Sequence, residues 1–142
     1  MRFSAKVEYA CIAMLELAAH YSGRQPLRLK AIAEADGIPQ RFLVQILLQL
    51  KGAGLVETVR GAAGGYLLSR SPAEISVADV VHAIDPPVPR REPVASAHSA
   101  LVQAVRAVWN DVQAEEERHL ESLDFDELLR RAQETHALTY QI

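Results

Sequence analysis

The chain has 142 residues, of which 49% are hydrophobic. That is enough for one core with an appendage and too much for a disordered chain. No apolar run approaches the roughly 18 residues of a membrane span, and the N-terminus lacks the layout of a signal peptide, so a cytoplasmic protein is expected. The net charge of −3 is unevenly spread: residues 1–70 hold 9 Lys+Arg against 5 Asp+Glu, or +4, and residues 71–142 hold 6 against 13, or −7. A basic first half suits phosphate, and the acidic half should stand away from it. The single cysteine, Cys11, excludes a disulfide framework within the chain.

Taken in order, Ser4 is placed to cap a first helix over residues 5–21, with Val7, Ala10, Cys11, Met14, Leu17, Ala18 and Tyr21 along its inner side. Cys11 on that apolar pattern reads as a buried structural thiol. Residues 21–26 form a turn, residues 29–35 a short second helix, and Asp36-Gly37 a tight turn into a third. Pro39 suits the first position of that helix, where a missing N–H costs nothing. Ile38, Phe42, Leu43, Ile46, Leu47 and Leu50 recur at helical spacing as a buried face, and Gln40, Arg41, Val44, Gln45 and Gln49 fall on the other side. Gly52 and Gly54 end the helix. The period then changes. Residues 55–59 and 66–68 are short β-branched or aromatic runs, and Arg60 to Gly65 between them holds three glycines that allow positive φ and close backbone approach.

A helix with amide and guanidinium groups outward, followed by a hairpin with a cation at its bend, suits double-stranded DNA. The helix fits a major groove, and the hairpin fits the backbone or puts Arg60 into a minor groove. The run I-P-x-x-F-L-x-Q-I-L-x-x-L-K-x-A-G-L-V-x-T-V-R-G-x-x-G-G-Y-x-L, Ile38 to Leu68, resembles the signature of the Rrf2 family of bacterial repressors, and the likeness covers about the first 85 residues. It implies a dimeric winged-helix transcription factor. The candidate DNA-contacting residues are Arg28, Pro39, Gln40, Arg41, Val44, Gln45, Lys51, Arg60, Gly61, Gly64, Gly65 and Tyr66. Many relatives carry Glu where this chain has Val44. Valine packs against a thymine methyl rather than accepting from cytosine, so a shifted operator preference is expected.

Beyond the hairpin, Ser76 is placed to cap a helix with Val77, Val80, Val81 and Ile84 on its apolar side. Residues 85–93 then hold four of the seven prolines and read as an exposed linker. The expected division is a winged-helix domain over residues 1–85, a linker over 86–94, and a dimerisation region over 95–142. The last begins with a long helix over residues 95–120, striped by Leu101, Val105, Val108, Trp109 and Val112. Glu115-Glu116-Glu117 on it reads as a solvated face. Asp124 is placed to cap a short final helix over residues 125–133. Two-fold pairing is the simplest cover for the stripe, giving a homodimer with two recognition helices for two half-sites of a pseudo-palindromic operator. The fold class expected is mainly α with a small β-hairpin wing: a winged helix-turn-helix plus a long C-terminal dimerisation helix.

The best-known members of the family place three cluster-ligating cysteines in this linker. Residues 86–98 here contain none, and iron–sulfur clusters need thiolates. Glu8 and His98 are conceivable ligands at unsuitable spacing, so no metal and no cofactor are expected. A small molecule, a partner protein or the thiol remains open as effector. The five histidines match no catalytic arrangement, and Gly61-x-x-Gly64-Gly65 lacks the Gly-Lys-Ser/Thr ending of a phosphate loop, so no enzyme is expected. The competing reading is a winged helix used as a protein–protein interaction module, or a regulator sensing through a partner protein.

Overall fold

The computed structural model describes residues 3–87 and 99–141. Its elements are α1 (Ala5–Ala19), α2 (Leu29–Asp36), α3 (Gln40–Gly52), β1 (Val56–Val59), β2 (Gly65–Leu68), α4 (Val77–Ile84), α5 (Ala100–Ser122) and α6 (Phe125–Gln141). A single 3-10 turn at Pro72–Glu74 leads into α4. The fold is mainly helical, a winged helix-turn-helix with one two-stranded hairpin and long C-terminal helices, as the sequence implies.

Local chemistry sets most boundaries. Ser4 Oγ accepts from the Val7 N–H at 3.1 Å and starts α1. Gly37, at φ 70°, closes α2 in the left-handed region and turns the chain sharply into α3. Pro39 sits one place earlier than expected, as the cap of α3 rather than its first helical residue. Its ψ of 126° is extended, and its carbonyl accepts from the Phe42 and Leu43 N–H groups at 3.1 Å. Ser76 and Asp79 form a reciprocal capping box at the start of α4. The strands pair antiparallel from Val56↔Leu68 to Val59↔Gly65.

The core lies where α1, α3 and α4 meet. Met14, Ile32, Leu43, Ile46, Leu47, Leu50, Val80 and Val81 are fully buried in it. Two expectations about this core are corrected. Phe42, assigned to the buried face of α3, lies at its edge and is 41% exposed. Cys11 and Tyr21 are only half-buried, and Tyr21 lies beyond the end of α1.

The C-terminal helices rejoin this core. Phe125 is completely buried and Leu120 nearly so, both in the same cluster as the winged-helix side chains. The Val77 N–H donates to the Leu123 carbonyl at 2.8 Å, and the Phe125 N–H to the Ile75 carbonyl at 3.1 Å. From there α6 runs along α1. Asp124 caps it by accepting from the Glu127 N–H at 2.8 Å. The helix continues well past residue 133, because no glycine or proline interrupts it and Arg130 and Arg131 pair with Asp126 and Glu127 along its face.

Within α5, Glu117 departs from the solvated reading. Its carboxylate lies 2.9 Å from His82 Nε2, clipping α5 onto α4. The proposed linker and the expected helix start at residue 95 fall largely outside the described residues; α5 is described from Ala100. Among the described residues, no helix is long and apolar enough to cross a membrane.

Candidate nucleic-acid interface

The helix α3 spends one side on the core and leaves the other in solvent. Leu43, Ile46, Leu47 and Leu50 face inward, while Gln40, Arg41, Val44, Gln45, Leu48 and Lys51 are exposed. None of its 13 residues is acidic. Near its start the Arg41 guanidinium lies 5.1 Å from the centre of the Phe42 ring. That ring in turn stacks on Tyr9 of α1 at 6.5 Å with planes 30° apart. The partial exposure of Phe42 thus has a use: its face steadies a cation at the entrance of the helix.

The hairpin is built on close backbone approach. The Leu27 N–H donates to the Tyr66 carbonyl at 3.0 Å, and the Tyr66 N–H to the Leu27 carbonyl at 2.8 Å. This pairs the stretch before α2 with the free edge of β2. Gly65, at φ 155°, makes that pairing possible, since a Cβ there would stand 2.5 Å from the Leu27 carbonyl oxygen. Gly64 is buried, and a Cβ on it would run into the Val59 carbonyl. Gly61, at φ 106°, faces open space at the bend beside exposed Arg60. Of the candidate residues, Gly64, Gly65 and half-buried Tyr66 therefore shape the wing, whereas Arg60 and Gly61 form its outer surface.

Two side-chain ties join the wing to the helices. The Arg28 guanidinium, at the start of α2, donates to the Ala62 carbonyl. Lys51 Nζ, in the last turn of α3, donates to Thr58 Oγ1 on β1 at 3.3 Å. Arg24 pairs with Glu57, the acidic residue of the hairpin, at 3.3 Å. Arg28, Lys51 and Arg60 thus gather around the wing, and Gln40, Arg41, Val44 and Gln45 share the outward side of α3. The sequence reading did not single out Leu48. It is 63% exposed in the middle of that side, and only its place on the helical wheel, not its residue type, could have flagged it.

Behind this surface two groups have displaced acidities. Glu16 on α1 is raised to about 7, because its carboxyl hydrogen-bonds that of Asp36 at the end of α2 and is partly buried; the nearby His20 opposes the shift. Burial, reinforced by Glu8, pushes the Cys11 thiol up to about 11 and keeps it protonated at neutral pH. Among the described residues no group of three or more His, Cys, Asp or Glu is placed to hold a metal ion. His98 lies outside them. A single cysteine supplies only one of the thiolates that an iron–sulfur cluster usually takes, so the residues present do not fit one.

The Rrf2 family model, described as an iron-dependent transcriptional regulator, matches residues 3–131. A Mycobacterium tuberculosis (strain CDC 1551 / Oshkosh) protein named as an HTH-type transcriptional regulator is 41% identical over 117 residues, 80% of this chain and 72% of its own length. Among solved structures, IscR of T. potens is similar with a TM-score of 0.77 at 34% identity, covering 95% of this chain and 90% of that one. CymR, the global cysteine regulator of B. subtilis, is similar with a TM-score of 0.80 at 30% identity, covering 92% of this chain and 98% of that one. The order of helix-turn-helix, wing and C-terminal helices and the match over most of the length agree: the chain belongs to the Rrf2 family of DNA-binding helix-turn-helix transcriptional regulators, and is not an enzyme.

Proposed function

We propose that the protein is a cluster-free repressor that binds a pseudo-palindromic operator as a homodimer. The observation that carries the DNA-reading half is the outward side of α3, which has no carboxylate and is tied through Lys51 to a hairpin bearing Arg60. In this reading Gln45 pairs with adenine, Arg41 with guanine or a phosphate, and Val44 meets a thymine methyl. Gln40 and Pro39 lie at the groove entrance. Arg60 enters a minor groove or meets a phosphate, with Gly61 leaving room for the strand and Arg28 and Lys51 adding positive charge.

The homodimer rests on α5. Leu101, Val105, Val108, Trp109 and Val112 share one side of that helix, and each is more than half exposed. A second copy covers such a stripe with the same stripe. Residues 1–85 then act as the reading head, 86–94 as the linker and 95–142 as the pairing region. The absence of a cluster rests on the cysteine count.

The test is fluorescence anisotropy with duplexes selected by the protein from a random pool, repeated across salt concentrations. Affinity should fall steeply and log-linearly with salt as counterions are released. Arg60→Ala should cost roughly 1–3 kcal/mol. Salt-independent binding, or unchanged affinity of Arg60→Ala, would remove the wing from the interface and favour a protein-interaction module.

A further inference from the structure

On α3, Arg41, Val44, Gln45 and Leu48 fall at spacings of three and four residues, so their side chains lie along one ridge. Leu48 stands almost opposite the buried centre formed by Leu43, Ile46, Leu47 and Leu50, and is more exposed than Val44, at 63% against 43%. Gly52 continues the same ridge without a side chain. Nothing within 4 Å would oppose a Cβ on it, so the chain's own packing does not require that gap. A large apolar side chain in the middle of this cationic, acid-free helix face complements a partner that is itself apolar and framed by negative charge.

We infer that Leu48 is a second specificity-determining residue, which with Val44 reads two thymine methyl groups on the floor of the major groove. The inference rests on the DNA-reading assignment above. The thymine C5-methyl is the apolar feature a base pair presents in that groove, and phosphates flank it on both sides. That matches an apolar pair bordered by Arg41 and Lys51. Four residues of helix rise about 6 Å. With bases about 3.4 Å apart along a strand, the two methyls fall about two base pairs apart when the helix lies along the groove. Gly52, one turn on, lets the sugar–phosphate wall pass close to the helix end.

The methyl can be removed without touching the hydrogen-bonding edge. Duplexes selected from a random pool by the full-length protein are resynthesised with deoxyuridine replacing one thymine at a time. The wild type should lose about fourfold in affinity at each of two thymines per half-site, spaced about two base pairs apart. Leu48→Ala should abolish the loss at one of these and retain it at the other. Val44→Ala should do the converse. Leu48→Gln, equally soluble at this exposed position, should bind more weakly and also ignore the first deoxyuridine. A Leu48→Ala protein with wild-type affinity and an unchanged deoxyuridine profile would overturn the inference while leaving DNA binding intact. A wild type that enriches no sequence would overturn the DNA-reading assignment and this inference with it.

Discussion

Gly65 is a point at which a single methyl group would disturb the wing. Its φ of 155° is one an L side chain rarely adopts, and a Cβ would stand 2.5 Å from the Leu27 carbonyl oxygen and 2.6 Å from its carbon. Both atoms are backbone, so neither can swing aside as a side-chain tip would. Gly65→Ala must push the Leu27 stretch off β2, breaking the two Leu27–Tyr66 hydrogen bonds. Each such bond contributes about 1 kcal/mol net, and the residual strain adds about 1–2 kcal/mol. The expected loss is about 3–4 kcal/mol by urea denaturation monitored by circular dichroism. Gly61→Ala serves as the control: its φ of 106° brings strain, but the space around it is open. It should cost only about 1 kcal/mol. In anisotropy, Gly65→Ala should also weaken DNA binding, because Arg28 loses the fixed position of its Ala62 partner. Equal stabilities for the two variants, within about 0.5 kcal/mol, would refute close backbone approach as the reason for this glycine.

Three other outcomes follow from geometry already described. On the homodimer proposed above, Val108→Glu should place like charges across the proposed α5 seam and yield monomer in analytical ultracentrifugation; a persistent dimer would refute that seam. Glu16 has a folded-state pKa of about 7 against an ordinary value of 4.5, so it binds its proton more tightly folded than unfolded. Its favourable contribution is full below pH 4.5 and is lost as pH rises through about 7. Glu16→Gln should flatten that fall and raise the Tm at pH 8, and an unchanged pH profile would dismiss the Asp36 contact. Cys11, held protonated by a pKa of about 11, should resist iodoacetamide at pH 8 in the native protein and react readily in urea. Equal rates in both would show the thiol is open to solvent.

The legible parts of the fold were those whose cause is local. Leu43, Ile46, Leu47 and Leu50 on α3 and the caps at Ser4, Ser76 and Asp124 are written in short-range spacing, and each stands where the sequence places it. The shift of Pro39 from first helical residue to cap is also local, since φ near −60° suits both positions and only ψ separates them. Long-range contact is what spacing cannot express. Phe42 fits the apolar period of α3, but it lies at the edge of the buried face, where its ring meets Tyr9 and Arg41. Glu117 looks like one of three solvated carboxylates until α4 brings His82 beside it. Leu48 was passed over because leucine in a helix suggests core, and only the positions of the four buried neighbours show that it points away.

The burial of Phe125 has a practical meaning for anyone wishing to recombine regulators of this kind. A tempting chimera would cut at the proline-rich stretch and join residues 1–85 to a foreign oligomerising helix. That cut removes a completely buried aromatic ring and the backbone pairing it makes with Ile75. Emptying a site of that size costs about 3–5 kcal/mol, against a total stability of about 5–15 kcal/mol for a typical domain. The graft would fray before it met its operator. A workable design replaces only the first part of α5 and returns to this chain upstream of Leu120, so that the transplanted head keeps Phe125 and the helix it begins.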